Sequence, residues 1–225
     1  MSKVIYGINH YSYFDKIVVK KRTEIINLIK ANINIDSINS CLDIGTTEDF
    51  DNSSSNMIIK NFSKIKIKKS ISNQNINSNF FNSTLKKSIT DIFDNKDLEN
   101  FKSDLVIASA TIEHVGSFSN QLKMFDNIIN LSKNCFVITT PNRFYPIDFH
   151  TKIPFIHWLP KNLHRFILRT VGIKYFSNEE NLNLLTKKDI INIIKKDRYR
   201  NIKFSIETIK LMGIVSNFII IGRLN

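Results

Sequence analysis

The chain has 225 residues, 42% of them hydrophobic, and carries 32 Lys and Arg against 20 Asp and Glu, a formal charge of +12. That length suits one large α/β domain or two small ones, and the apolar fraction excludes wholesale disorder. No run approaches the roughly 18 consecutive apolar residues of a membrane helix; the densest, Phe218-Ile219-Ile220-Ile221, is strand-sized.

Residues 1–10 lack the apolar core of a signal peptide, which predicts a cytoplasmic location. The positive charge has two readings. One is attraction to nucleic acid, anionic lipid or a phosphorylated substrate. The other is composition: the chain is crowded with Lys, Asn, Ile and Phe, as drift in an AT-rich genome would leave it, and its lysines are scattered from Lys3 to Lys210. Cys41 and Cys135 each open an apolar run and read as buried free thiols.

In chain order, residues 16–32 carry Ile17, Val18, Ile25, Ile26, Leu28 and Ile29 at helical spacing. A polar turn over 34–39 leads to a short buried strand at 40–44, which Gly45 follows directly. Residues 49–56 are a polar loop. Over 62–71, Ile65, Ile67 and Ile71 alternate with Lys64, Lys66 and Lys68, the period of a strand with one wet face. A loop at 72–79 precedes a strand candidate at 86–90, with Asp91 at its end. Residues 105–109 form the continuous apolar run of a doubly covered parallel strand. Beyond Gly116, Ser117 or Ser119 can cap a helix whose Phe118, Leu122, Phe125 and Ile129 share a face. Residues 136–139 are the next buried strand, and this order predicts a right-handed parallel crossover.

Residues 141–178 break the rhythm, holding every proline and many aromatic residues. Within them 161–171 reads as a helix with Leu163, Phe166, Ile167 and Val171 on one side. Thr186 and Asp189 open a second helix over 186–196 in the manner of a capping box. Strands at 202–211 and 217–224, joined by 212–216, favour an antiparallel pair. No internal repeat is present.

Ligands of open α/β sheets bind beyond the carboxyl ends of the strands. Four polar tips fall there: 43–47 around Gly45, Asp91, 109–114 with Glu113 and His114, and Thr140-Pro141-Asn142. Gly45 permits an unusual φ and close approach of a ligand. No Gly-x-Gly-x-x-Gly follows, and Glu48 would repel a pyrophosphate. A ligand bearing an ammonium and a sulfonium would tolerate the acidity of Asp43. Each tip also fits a plain structural role: a tight turn at Gly45, a helix start at Glu113, a hydrogen-bonded imidazole at His114. The five histidines (His10, His114, His150, His157 and His164) show no ligand spacing with cysteines or acids, so no metal is expected.

Four segments carry a family resemblance: Leu42-Asp43-Ile44-Gly45, Asp91, the run from Asp104-Leu105-Val106-Ile107-Ala108-Ser109 through Ile112-Glu113-His114-Val115, and Phe136-Val137-Ile138-Thr139-Thr140-Pro141-Asn142. Together they resemble the class I S-adenosylmethionine-dependent methyltransferases over about 40–142. The resemblance implies one domain over 1–225, of α/β class: a Rossmann-like, doubly wound, mostly parallel seven-stranded sheet with an antiparallel last strand. A helix at about 11–32 precedes it, and an insertion or lid covers about 141–185. It further implies S-adenosylmethionine as cofactor, with Asp43, Gly45, Thr46 and Thr47 at the methionine end, Asp91 and Ile92 beside the adenine, and Ser109 and Ala110 lining the floor. Glu113 and His114 would face the acceptor, His114 as base, with Asn142, Arg143, Tyr145 and His150 on the substrate side.

The chain departs from the family in two places. Only Gly45 remains of the usual two or three glycines, and Lys68-Lys69-Ser70-Ile71-Ser72-Asn73 lacks the acid that grips the ribose, leaving Asn73 or Gln74 as substitutes. Residues 142–146, His150 and His157-Trp158-Leu159-Pro160 resemble a bacterial subgroup associated with cell-surface polysaccharide or lipid genes. The implied acceptor is a small molecule, a sugar or a lipid-linked glycan. Residues 155–176 mix aromatics with Lys161, His164, Arg165, Arg169 and Lys174, and read either as a segment for anionic lipid or as a lid helix packed on the core. The Asn/Asp-Pro-Pro-aromatic signature of base methylation is missing, which argues against nucleic acid. The alternative to an active enzyme is an eroded methyltransferase-like protein serving as a membrane-surface or protein-interaction module.

Overall fold

The computed structural model describes residues 13–52 and 54–224. The 1–10 stretch read for a signal peptide lies outside the described residues, as does His10. Seven strands form one sheet: β1 (Ser40–Ile44), β2 (Ile67–Ser72), β3 (Ser83–Lys86), β4 (Ser103–Ser109), β5 (Ser132–Pro141), β6 (Ile202–Leu211) and β7 (Ile214–Leu224). Their order is β3-β2-β1-β4-β5-β7-β6. The first five pair in parallel, and β7 runs antiparallel between β5 and β6. This is the mostly parallel, doubly wound sheet expected from the sequence. The strand order reverses between β1 and β4, the switch point where such sheets open a crevice.

Strands buried on both faces alternate between two apolar layers rather than between core and water. In β4, Val106 and Ala108 join the layer of α4 (Phe118–Leu131) and α6 (Lys187–Ile194). Leu105 and Ile107 join that of α1 (Tyr13–Asn32) and the single turn α2 (Met57–Lys60). Helix α4 buries Met124, Phe125, Ile128 and Leu131. At roughly 1.5–3 kcal/mol per fully buried side chain, those four offset on the order of 10 kcal/mol of ordering entropy. The buried stripe is offset from the one the sequence suggested, and Phe118 is exposed. Ser117 caps α4, accepting from the Asn120 amide, and Thr186 with Asp189 forms a full capping box on α6.

Several local expectations are corrected. β3 lies at Ser83–Lys86, not 86–90, because Lys69–Ser72 of β2 pairs with it there. The chain then turns, with the Ser88 amide donating to the Asp91 carboxylate and Ile89 buried. Residues 62–65 are a turn that buries Phe62 and Ile65, so β2 starts only at Ile67. Two helices escaped the sequence reading: α2, whose short turn buries Ile58 and Ile59, and α3 (Asn95–Phe101), capped by Asp94. Met212 and Gly213, at φ +53 and +80, make a two-residue hairpin, so β7 starts at Ile214 rather than 217. In α5 (Lys161–Thr170) the buried residues are His164 and Leu168, while Leu163, Phe166 and the following Val171 are exposed, the reverse of the expected face. Among the described residues no helix is long and apolar enough to cross a membrane.

Candidate active site

The carboxyl end of β1 turns at Gly45, whose φ of +81 is one that side chains strongly disfavour. The turn rests on a buried polar net. Thr46 donates its hydroxyl to Asp43 (2.6 Å), Ser70 donates to the Thr46 hydroxyl (2.8 Å), and Ser72 donates to the Thr46 carbonyl (2.7 Å). Burial pushes the Asp43 carboxyl up to about 7, with the Thr46 hydroxyl pulling it down. Asp43 and Thr46 therefore lie beneath the turn as its support, whereas Gly45 and Thr47 are exposed above it. The Thr47 amide donates to Asn56 and the Glu48 amide to Gln74, which ties the turn to the end of β2.

Across the switch point, β4 ends at Ser109, and the partly buried Thr111 lies directly over Gly45. The Thr111 hydroxyl donates to the Ile44 carbonyl at 3.1 Å. Ala110 takes φ +50 and is anchored by its amide on the Thr139 carbonyl of β5. Backbone in that region costs about 1–2 kcal/mol for a residue with a Cβ and persists only where neighbours enforce it. Asp91 is not brought to this row. It follows β3 by five positions, its backbone carbonyl accepts from Asn127 well down α4, and Ile92 beside it is 90% exposed.

A short 3-10 turn, Ile112–His114, carries the chemistry of the β4 tip. Glu113 is fully buried; its Oε2 accepts from the Thr140 hydroxyl at 3.0 Å, and its Oε1 has no hydrogen-bond partner. His114 donates Nδ1–H to the Asn181 carbonyl (2.6 Å), and His150 donates Nδ1–H to Asp148 (3.0 Å). The two rings stand edge to face with centroids 4.9 Å apart. One donor atom from each of Glu113, His114 and His150 lies within 4.8 Å of the other two. Burial lowers the His150 pKa, but the Asp148 hydrogen bond and the charges of Asp148 and Glu113 outweigh it and hold His150 above the ordinary imidazole value. Burial likewise opposes ionisation of Asp148, yet its bonds to His150 and Thr151 keep it well below the usual carboxylate range.

The segment between β5 and α6 holds this tip in place. The Asn183 amide donates to the Glu113 carbonyl (2.7 Å), and its side chain spans Gly116 and Lys161. Of the residues expected on the substrate side, His150 joins the cluster. Asn142 instead ties β5 to β7 through Val215 and Ser216, Arg143 donates to the His157 and Leu159 carbonyls, and buried Tyr145 stacks on Phe149. Sequence reasoning missed Asp148, Asn181 and Asn183. An Asp two positions before a His, and an Asn inside the apolar run Leu182-Asn183-Leu184-Leu185, were the available signals.

No family model matches the chain, and no curated protein matches it either. Solved structures do. The magnesium protoporphyrin IX methyltransferase of Synechocystis PCC 6803 with bound SAH matches at TM-score 0.55 and 10% identity, over 98% of this chain and 91% of that one. This chain shares the fold of that methyltransferase. The methyltransferase domain of bacterial CtHen1-C matches at TM-score 0.56 and 12% identity, over 92% and 99% of the two chains. The N-methyltransferase NodS of Bradyrhizobium japonicum WM9 matches at 0.51 and 9%, over 91% and 97%. The Gly45 turn follows β1 and the Glu113–His114 tip follows β4, the two neighbouring strands between which the strand order reverses.

Proposed function

We propose that the chain transfers a methyl group from S-adenosylmethionine to a hydroxyl of a small-molecule, sugar or lipid-linked acceptor. The observation that carries this reading is the assembly of Glu113, His114 and His150 at the tip of β4, beside the open Gly45 turn of β1. Its support from the comparisons is a shared fold, in which one matched protein is described with bound SAH.

The residues present fit such a cofactor. Gly45, Thr47, Asn73, Gln74 and Ala110 are all exposed around the end of β1, and the missing side chain of Gly45 makes room for Thr111 above it. Gly45 and Thr47 would hold the methionine end. The side-chain amides of Asn73 and Gln74 would replace the missing acid at the ribose, with neutral hydrogen bonds in place of charge-assisted ones. Ser109 and Ala110 would line the floor. When bound, the cofactor supplies an already electrophilic methyl, so the protein's task is alignment and removal of a proton from the acceptor. Donation of His114 Nδ1–H to Asn181 fixes the tautomer and leaves Nε2 with its lone pair, the group free to take that proton.

Titration calorimetry with S-adenosylmethionine and S-adenosylhomocysteine tests the reading. Binding that is lost in Gly45→Val supports it; no heat at millimolar ligand sinks it and leaves the eroded, non-catalytic module. Peripheral membrane contact is part of the same proposal. Phe155, Trp158, Leu163, Phe166 and Tyr175 are exposed near Arg165, Arg169 and Lys174, a combination suited to an anionic interface. Flotation with phosphatidylserine vesicles, abolished by Arg165→Glu with Arg169→Glu, is the expected result. Failure of the unmodified protein to float removes lipid as the partner, and unchanged flotation of the variant removes this face as the contact.

A further inference from the structure

We propose that Glu113, His114 and His150 hold a divalent transition-metal ion. Three independent features point to it. The first is convergence: a carboxylate and two imidazoles, drawn from the β4 tip and from the insertion 36 positions later, bring one donor atom each within 4.8 Å of the others. The second is orientation. Metal-bound histidines characteristically donate their second ring N–H to a carboxylate or a backbone carbonyl. His150 does so to Asp148 and His114 to Asn181, so each keeps Nε2 for a ligand. The third is an open valence: Glu113 is fully buried and its Oε1 accepts from nothing. Leaving a buried carboxylate oxygen unpaired is costly, and a cation satisfies it.

Two imidazoles and one carboxylate select the ion class. Imidazole suits zinc, copper, iron and nickel, whereas magnesium prefers an all-oxygen shell. Ligands at about 2.1 Å stand about 3.0–3.5 Å apart, so the cluster closes by roughly an ångström when loaded. Three protein ligands leave a coordination position open, as catalytic sites do. If the methyl-transfer reading holds, on which this role alone depends, the acceptor hydroxyl occupies that position. Its O–H bond then breaks with the proton passing to solvent, and the oxygen takes the methyl as the carbon–sulfur bond breaks. The ion then takes over the work assigned above to His114.

The test uses chelator-stripped full-length protein without S-adenosylmethionine. Zinc and manganese are titrated separately by calorimetry against a competing chelator, and cobalt is added for its visible ligand-field spectrum. Expected are one ion per chain, a thermal midpoint raised by the ion, and a cobalt spectrum showing nitrogen ligation. Affinity should fall by at least about 100-fold in Glu113→Gln, His114→Gln and His150→Gln, and by about 10-fold or more in Asp148→Asn. His164→Gln should leave it unchanged. Circular dichroism reports whether each variant folds, and the cobalt spectrum of the unmodified protein needs no variant. No saturable binding, or binding untouched in folded His114→Gln and His150→Gln, overturns the site. Because cofactor binding is measured separately, its loss with metal retained would overturn only the methyl-transfer reading.

Discussion

Thr111 closes over Gly45: a Cβ at the glycine would lie 2.6 Å from the Thr111 hydroxyl oxygen and 2.8 Å from its methyl. Left-handed backbone and steric overlap both act at this position. Gly45→Ala should therefore cost about 1–3 kcal/mol and weaken cofactor binding. Thr111→Ala removes both overlapping atoms. In that background Gly45→Ala should cost about 1 kcal/mol less, and a double-mutant cycle of thermal or urea stability measures the coupling.

Gly222 makes the same argument inside the core. It pairs with Phe136 across β5 and β7, and a Cβ there would fall 2.2 Å from the phenyl ring. Phe136 is fully buried and has nowhere to go. Gly222→Ala should destabilise the fold by about 3 kcal/mol, near the upper end of overpacking costs. Phe136→Leu should partly relieve it, so that the double variant unfolds later than the sum of the single effects predicts.

Asp43 gives stability a pH dependence. Its carboxyl titrates at about 7 when folded, against about 3.9 in an unfolded chain. Between those values the folded state keeps a proton that the unfolded state has lost. Its contribution is therefore favourable below about pH 4 and declines as pH rises to about 7, by on the order of 2–4 kcal/mol. Urea denaturation across that window should show a decline that Asp43→Asn flattens, since the amide oxygen still accepts from Thr46. An identical pH slope in the variant would exclude Asp43 as the source.

Asn183 is the tether of the β4 tip. Its side chain donates to the Gly116 carbonyl and accepts from Lys161, both at 2.6 Å, in a buried setting. Asn183→Ala should leave both partners unsatisfied, costing about 2–3 kcal/mol and lowering the thermal midpoint by roughly 4–12 °C. On the proposed methyl-transfer reading it should also reduce turnover more than cofactor affinity, because the Gly45 turn is untouched.

The central sheet was legible because doubly covered strands write themselves as unbroken apolar runs, as at Leu105 to Ala108. The capping box at Thr186 and Asp189 was equally plain, since its signal is local. The edges were not. Ile89 is apolar yet leaves the sheet, and α5 turns His164 and Leu168 inward while Phe166, 65% exposed, faces out. Neither choice is encoded in period alone; both depend on what the rest of the chain leaves to pack against. The site was half legible. Glu113 and His114 stand at a strand end where chemistry is expected, but His150 reaches them only through the folding of the insertion. A search for ligand spacing along the chain passes over a set assembled from distant positions.

Cys41 and Cys135 sit in the core as free thiols, and burial raises both above the ordinary thiol range, Cys135 to about 11. Only the thiolate reacts readily with disulfide reagents. The folded chain should thus score no titratable sulfhydryl, and the unfolded chain two. The protein carries its own unfolding clock: the rate at which a disulfide reagent develops colour in native buffer measures how often the sheet opens, with no label attached.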